Sequence, residues 1–254
     1  MSRSDPIRAN YFDVVQTGET CAAWLFYANL ALSFGVLIVE ASDWPTLGPV
    51  LQVLFAISVV ALTVLGLVLR LHLTPRAEHM RRRDFFGKAW AVSFGQHETD
   101  GYYNNEATSP ARRAAAQLLE NSLFSKEIAL RLARQQRWLF GTYAIAWLAV
   151  LHWQETPLNW VVIATQVLFG EQMLSRWLRV EWLKSHFEQT FDDIYDLFQS
   201  KPSEEYFEAR TVLLISDYEV AKAVAGVCLP SRIFENVNEH LSQEWALLRG
   251  RLGV

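Results

Sequence analysis

The stretch Leu47–Leu69, LGPVLQVLFAISVVALTVLGLVL, holds 23 residues without a charge and stops at Arg70. As a helix it rises roughly 34 Å, enough to cross a hydrocarbon core of ~30 Å. Upstream, Ala22–Val39, AAWLFYANLALSFGVLIV, has 18 uncharged residues. That run begins after three acids (Asp5, Asp13, Glu19), and no small-x-small cleavage site follows it. It is therefore read as a span and not as a removed signal. Downstream, Trp138–Trp153, WLFGTYAIAWLAVLHW, rises roughly 24 Å, and Leu158–Leu174 makes a fourth, more polar run. Trp24, Trp44, Trp138, Trp153, Trp160 and Trp177 lie near the run ends, as an interfacial belt requires.

The charge between these runs gives a topology. Residues 40–46 carry Glu40 and Asp43 but no Lys or Arg, and 154–157 carry only Glu155. All 23 basic residues sit elsewhere. The positive-inside rule then puts both termini and the central segment in the cytoplasm. The expected layout is a cytoplasmic start (1–21), a transmembrane hairpin (22–73), a cytoplasmic segment (74–137), a second hairpin (138–174) and a cytoplasmic helical region (175–254). The expected fold class is all-α, a four-span inner-membrane protein whose helices 3 and 4 extend into the cytoplasm.

The whole chain of 254 residues is 51% hydrophobic and 20% charged, with 15 Phe, 10 Trp and 8 Tyr, which excludes a disordered tail protein. A net charge of −4 supplies no basic field for a nucleic acid polymer. The charge is segregated, however. Residues 70–137 hold 12 basic and 7 acidic side chains, and 175–254 hold 9 and 13, so the two parts are expected to pack on each other. Arg76, Arg81, Arg82 and Arg83 cluster just past the second run, and the first reading is an anchor on anionic lipid headgroups. A binding patch for an anionic ligand is the sharper one.

Ser109-Pro110 and Thr156-Pro157 each put a hydroxyl cap before a Pro at the first helical position. They predict two long helices, about 111–153 and 157–199. A turn centred near Glu155 would set residue i beside residue 310 − i. Arg113 then falls near Asp193 and Asp196, but Lys126 near Lys184 and Arg131 near Arg179. Shorter helices are expected at 76–95, at 203–226 (unless TVLLIS, 211–216, forms a strand) and from a Ser231 cap to Arg249.

No Gly-rich phosphate loop, G-x-S-x-G or H-E-x-x-H occurs, so no enzyme and no cofactor are expected. Cys21 and Cys228 cannot form a C-x-x-C pair. Polar residues within the runs are more informative, because they are costly in lipid. Asn29 and Ser33 share a face of the first run with Glu40. Gln52, Thr63 and Gly66 do so on the second, and Gln166 and Gly170 on the fourth. Such stripes serve either helix packing or a water-filled path.

Gly101-Tyr102-Tyr103-Asn104-Asn105, followed by Glu120-Asn121-Ser122-Leu123-Phe124-Ser125-Lys126, resembles a pattern in bacterial membrane effectors. These are the four-transmembrane effectors associated with SMODS nucleotidyltransferases in anti-phage systems, and the order of spans and cytoplasmic parts is similar too. The motif resemblance covers residues 101–126. It implies a toxic, pore-forming or membrane-disrupting effector, working as a homo-oligomer and answering a cyclic nucleotide from a partner nucleotidyltransferase. It singles out Tyr102, Tyr103, Asn104, Glu120, Asn121 and Ser122 as regulatory candidates. The alternatives from other classes are a non-conducting scaffold or sensor that recruits partners through its tail, and a small housekeeping channel or transporter.

Overall fold

The computed structural model describes residues 5–40, 47–95, 98–103, 105, 107–152, 165 and 171–254. They form an all-α fold: α1 (Asp13–Glu40), α2 (Leu47–Val68), α3 (Thr74–Trp90), α4 (Pro110–His152), α5 (Arg176–Ser200), α6 (Glu204–Ala225) and α7 (Ser231–Leu252). Three short π-helical turns join them: Arg8–Phe12 before α1, Leu69–Leu73 between α2 and α3, and Glu171–Ser175 before α5.

α1 and α2 pack antiparallel through small residues. A Cβ on Gly35 would lie 3.8 Å from Leu51, one on Gly48 3.9 Å from Val39, and one on Gly18 2.7 Å from Leu69. Glycines at such positions let two apolar helices approach closely. α2 runs without a break into α3, and Leu47–Trp90 is the one helical run among the described residues long and apolar enough to cross a membrane. None of its apolar window is buried by the protein.

The helical body is built on α4. Its alanine-rich first half (Ala114, Ala115, Ala116, Leu118, Leu119) is buried and is packed by α3, α5, α6 and α7. α7 offers Ile233, Val237, Leu241 and Trp245, four apart on one helical face, to the same core. Opposite charges of 70–137 and 175–254 do meet: Arg112 binds Glu204, and Arg82 lies 3.7 Å from Glu219.

Several helix boundaries follow their signals. The Ser109 hydroxyl accepts from the Arg112 N–H at 3.2 Å, and the Ser203 hydroxyl from the Tyr206 N–H at 3.4 Å. Others differ. The helix expected over 76–95 stops at Trp90, where Ala91 turns left-handed (φ 54°) and the Val92 N–H bonds the Gly87 carbonyl at 2.9 Å. A Cβ at Gly87 would lie 2.8 Å from the Val92 carbonyl oxygen, so the reversal needs that glycine. TVLLIS is helical, because α6 buries Thr211, Leu214 and Ile215 at helical spacing. Ser231 is the first residue of α7 and caps nothing; Pro230 precedes it.

The long antiparallel pair is present as α4 and α5, in a different register. Arg137 binds Glu181, Phe140 stacks on Trp177 and Lys126 lies 3.1 Å from the Phe191 ring centre. Each partner is seven or eight residues further along than a turn at 155 predicts. The shift takes Lys126 away from Lys184, which binds Glu188, while Arg131 binds Glu127 on its own helix. Arg113 meets neither Asp193 nor Asp196. It donates to the Ala89 carbonyl at 2.7 Å, and Asp193 binds Arg210. Thr156-Pro157 lies outside the described residues.

Candidate ligand-binding site

A cavity of about 490 Å³ opens where the helical body meets the N-terminal segment. That size is typical of a small-molecule site. Five helices, the N-terminal segment and two connecting segments build its wall. Asp5, Arg8 and Phe12 come from the N-terminal segment, and Glu78, Arg81, Arg82 and Phe85 from α3. Tyr102 and Tyr103 come from the α3–α4 connection, Glu120, Asn121, Phe124 and Ser125 from α4, and Phe187 from α5. Tyr218, Glu219 and Lys222 (α6), then Phe234, Glu235 and Asn238 (α7), complete it.

Asp84 places the two tyrosines. It is buried, and its carboxylate accepts the Thr99 backbone N–H at 3.0 Å and the Thr99 hydroxyl at 2.7 Å. The chain leaving α3 is thus tied back onto α3. Gly101 then takes a positive φ of 61°, which a residue with a Cβ resists, and the tyrosines follow. Tyr103 meets Phe85 and Tyr102 edge to face, with centroids 6.0 and 4.8 Å away. Burial pushes the Tyr103 phenol well above its ordinary value, and its hydroxyl has no hydrogen-bond partner among the described residues.

Arg81 is the centre of the charged wall. Its Nη2 donates to Asp5 at 2.7 Å, and its guanidinium lies 4.5 Å from the Tyr102 ring centre and 5.4 Å from that of Phe12. Burial alone would lower its pKa; Tyr102 and the Asp5 carboxylate outweigh that, and it is raised. Its Nη1 is buried with no partner among the described residues, as is Asn238 Oδ1. Nearby, Lys222 is clamped by Glu78 at 2.5 Å and Glu219 at 3.2 Å. Burial would lower its pKa, but the two carboxylates raise it. Tyr218 shares a 2.7 Å hydrogen bond with Ser125, and burial lifts its phenol to about 12. Arg82 is half-exposed, 3.7 Å from Glu219, and Arg8 pairs with Glu235. The wall thus combines aromatic faces with charges that are already balanced. Such a wall suits a flat ring carrying an oxyanion, stacked on aromatics and received by a guanidinium.

Of the candidate regulatory residues, Tyr102, Tyr103, Glu120 and Asn121 come together on this wall. Ser122 does not: it is buried, and its hydroxyl bonds the Leu119 carbonyl at 3.0 Å. Asn104 lies outside the described residues. The basic cluster divides. Arg81 and Arg82 line the cavity, and Arg76 lies exposed 5.5 Å from the Tyr11 ring centre. Arg83 faces a small hollow beside Gly95 on another side of α3.

The membrane stripes divide as well. Asn29 is buried and its Oδ1 has no hydrogen bond among the described residues, whereas Gln52 and Thr63 lie on the exposed face of α2, and Gly66 has open space beside it. The hydroxyls of Ser33 and Thr63 bond carbonyls of their own helices, both at 2.9 Å, so neither requires a water path. Gln166 and Gly170 lie outside the described residues. Ser58, not singled out from the sequence, also has a buried hydroxyl without a partner.

Asp5, Arg8, Phe12, Glu78, Asp84 and Lys222 are the site residues the sequence reading missed. The first three precede an apolar run and read as a membrane-edge segment. No group of three or more His, Cys, Asp or Glu able to hold a metal occurs among the described residues. No family model, no curated protein and no solved structure matches this chain.

Proposed function

We propose that the chain is a multi-pass effector of the bacterial inner membrane in an anti-phage system, and that a nucleotide second messenger bound in the cavity makes it breach that membrane. One observation carries the reading: the cavity touches the cytoplasmic extension of each apolar run. The N-terminal segment leads into α1, α3 continues α2, and α4 and α5 lead into the third and fourth runs. A ligand that rearranges the wall therefore pulls on all of them. π-helical turns occur often at functional sites. They stand at three of these four junctions, after Arg8, Leu69 and Glu171.

In this reading the chain crosses the membrane four times with both termini in the cytoplasm, and it acts by binding, not by catalysis. Four thin helices enclose no wide pore, so the breach is made by a homo-oligomer. α6 supports this with exposed Tyr206, Leu213 and Val220 at seven-residue spacing, Val212 and Val224 beside them. Their flank is acidic (Glu205, Glu208, Asp217), and α4 exposes Arg131 and Arg134. A second copy of the chain satisfies both the apolar stripe and the charges. The second reading, a non-conducting scaffold, would use the same stripe for a different protein.

The test is expression in a bacterium with membrane potential recorded while cyclic di- and trinucleotides are supplied. An effector depolarises the cell with one of them, and Tyr102→Ala with Glu120→Ala abolishes the response without loss of membrane-inserted protein. Unchanged potential with every nucleotide, from a chain that is monomeric in detergent, would favour the scaffold.

A further inference from the structure

We propose that Arg81 is the oxyanion receptor of the cavity and that Asp5 is a resident carboxylate which the ligand displaces, freeing residues 5–12. It rests on the reading of the cavity as the ligand site and adds how binding there is turned into movement.

The geometry is that of an occupied receptor. The guanidinium is buried, flanked by the Tyr102 and Phe12 rings, and bonded through Nη2 to one carboxylate. Nη1 of this cavity-lining residue is also buried and has no partner among the described residues. An oxyanion that reaches the guanidinium finds that spare donor beside Nη2. A guanidinium binds a carboxylate or phosphate best through two parallel N–H donors, so the full complex needs Nη2 as well. Two anions on one guanidinium also repel each other. The exchange keeps Arg81 paired throughout, which matters because a buried cation without its partner is strongly unfavourable. One anion replaces another, and no charge is stranded.

The other cations are poorer receptors. Lys222 is held by two carboxylates on the helices of the body, neither of which can leave. Arg82 and Arg8 are partly solvated. Asp5 alone lies outside the helices of the body, in the short segment before α1. It stands just before the π-helical turn Arg8–Phe12, whose other ties include Ile7 in the protein interior, Arg8 on Glu235 and Phe234, Tyr11 against Arg76 and Phe12 against Arg81. Loss of the Asp5 bond therefore loosens a segment that runs directly into α1.

The test uses the full chain in detergent, with hydrogen–deuterium exchange of residues 5–12 and the affinity for inorganic phosphate and for acetate as readouts. Phosphate or acetate, whichever chemistry the site takes, should raise exchange at 5–12 in the wild type. Asp5→Asn should raise it several-fold with no anion present and bind the same anion roughly tenfold more tightly. Arg81→Gln should not respond to either anion, and Arg83→Gln, on another side of α3, should respond like wild type. The proposal is overturned if Asp5→Asn keeps 5–12 protected or binds the anions no more tightly, or if Arg83→Gln and not Arg81→Gln removes the response. A nucleotide that depolarises cells while 5–12 stays protected would refute this exchange and leave the effector reading standing. Anion-driven release without any depolarisation would do the opposite.

Discussion

α2 and α4 are both rich in apolar residues and meet opposite surroundings. On α2, Val53, Ile57 and Val60 are about 60% exposed, while on α4 Ala114, Ala115 and Leu119 are at 0%. The protein covers the second set and leaves the first for another apolar phase. Exposed apolar surface costs roughly 25 cal/mol per Å² in water. A continuous apolar helix face of this length is therefore stable only against lipid or another helix. The comparison also separates polar roles. In the hairpin the hydroxyls of Ser33 and Thr63 turn back on their own helices, whereas in the body Asp84, Arg81 and Lys222 pair with residues outside their own helices.

The contrast predicts unequal responses to equal changes. Leu119→Ala should cost about 3 kcal/mol, as large-to-small changes in tight cores do, and Val60→Ala less than ~0.5 kcal/mol, both measured by denaturation in detergent. Equal costs would end the distinction. Val60→Asp should penalise membrane insertion by about 3 kcal/mol, read as lost membrane fraction, while the body keeps its exchange protection.

Alkaline pH should act on the body alone. Burial raises Tyr218 to about 12 and Tyr103 in the same direction. The folded state then holds protons that the unfolded chain releases from about pH 10, so stability is complete below that and falls as pH rises towards 12. The loss is on the order of 2 kcal/mol for Tyr218, and a thermal scan of wild type against Tyr218→Phe should show the variant losing less. Asp84→Ala leaves two Thr99 donors unsatisfied. It should cost about 1–2 kcal/mol, with faster exchange over 99–103 as its mark. Glu204→Ala, at the solvent-exposed pair with Arg112, should cost at most about 1 kcal/mol, and less in high salt.

Much of the fold was legible. A 23-residue uncharged run, a Ser-Pro cap and a Ser-Glu-Glu start fixed α2, α4 and α6, because those signals act within one helix. What depends on contact between helices was not legible. The register of α4 on α5 is set by stacking of Phe140 on Trp177 and by avoidance of like charges, which no local pattern encodes. The end of α3 depends on how closely Val92 approaches Gly87. At the site, Tyr102, Tyr103, Glu120 and Asn121 came from the motif. Asp5, Asp84 and Lys222 carry no local mark, since a buried charge looks like a surface charge until its partner is known.

The most direct test of the lipid-facing hairpin is labelling of intact cells with a membrane-impermeant thiol reagent. It uses single cysteines made as Asp43→Cys or Arg82→Cys in a Cys21→Ser, Cys228→Ser background. The account predicts that position 43 is labelled from outside and that position 82 is labelled only after permeabilisation. Labelling of position 82 in intact cells, or recovery of the chain from the soluble fraction, would contradict it.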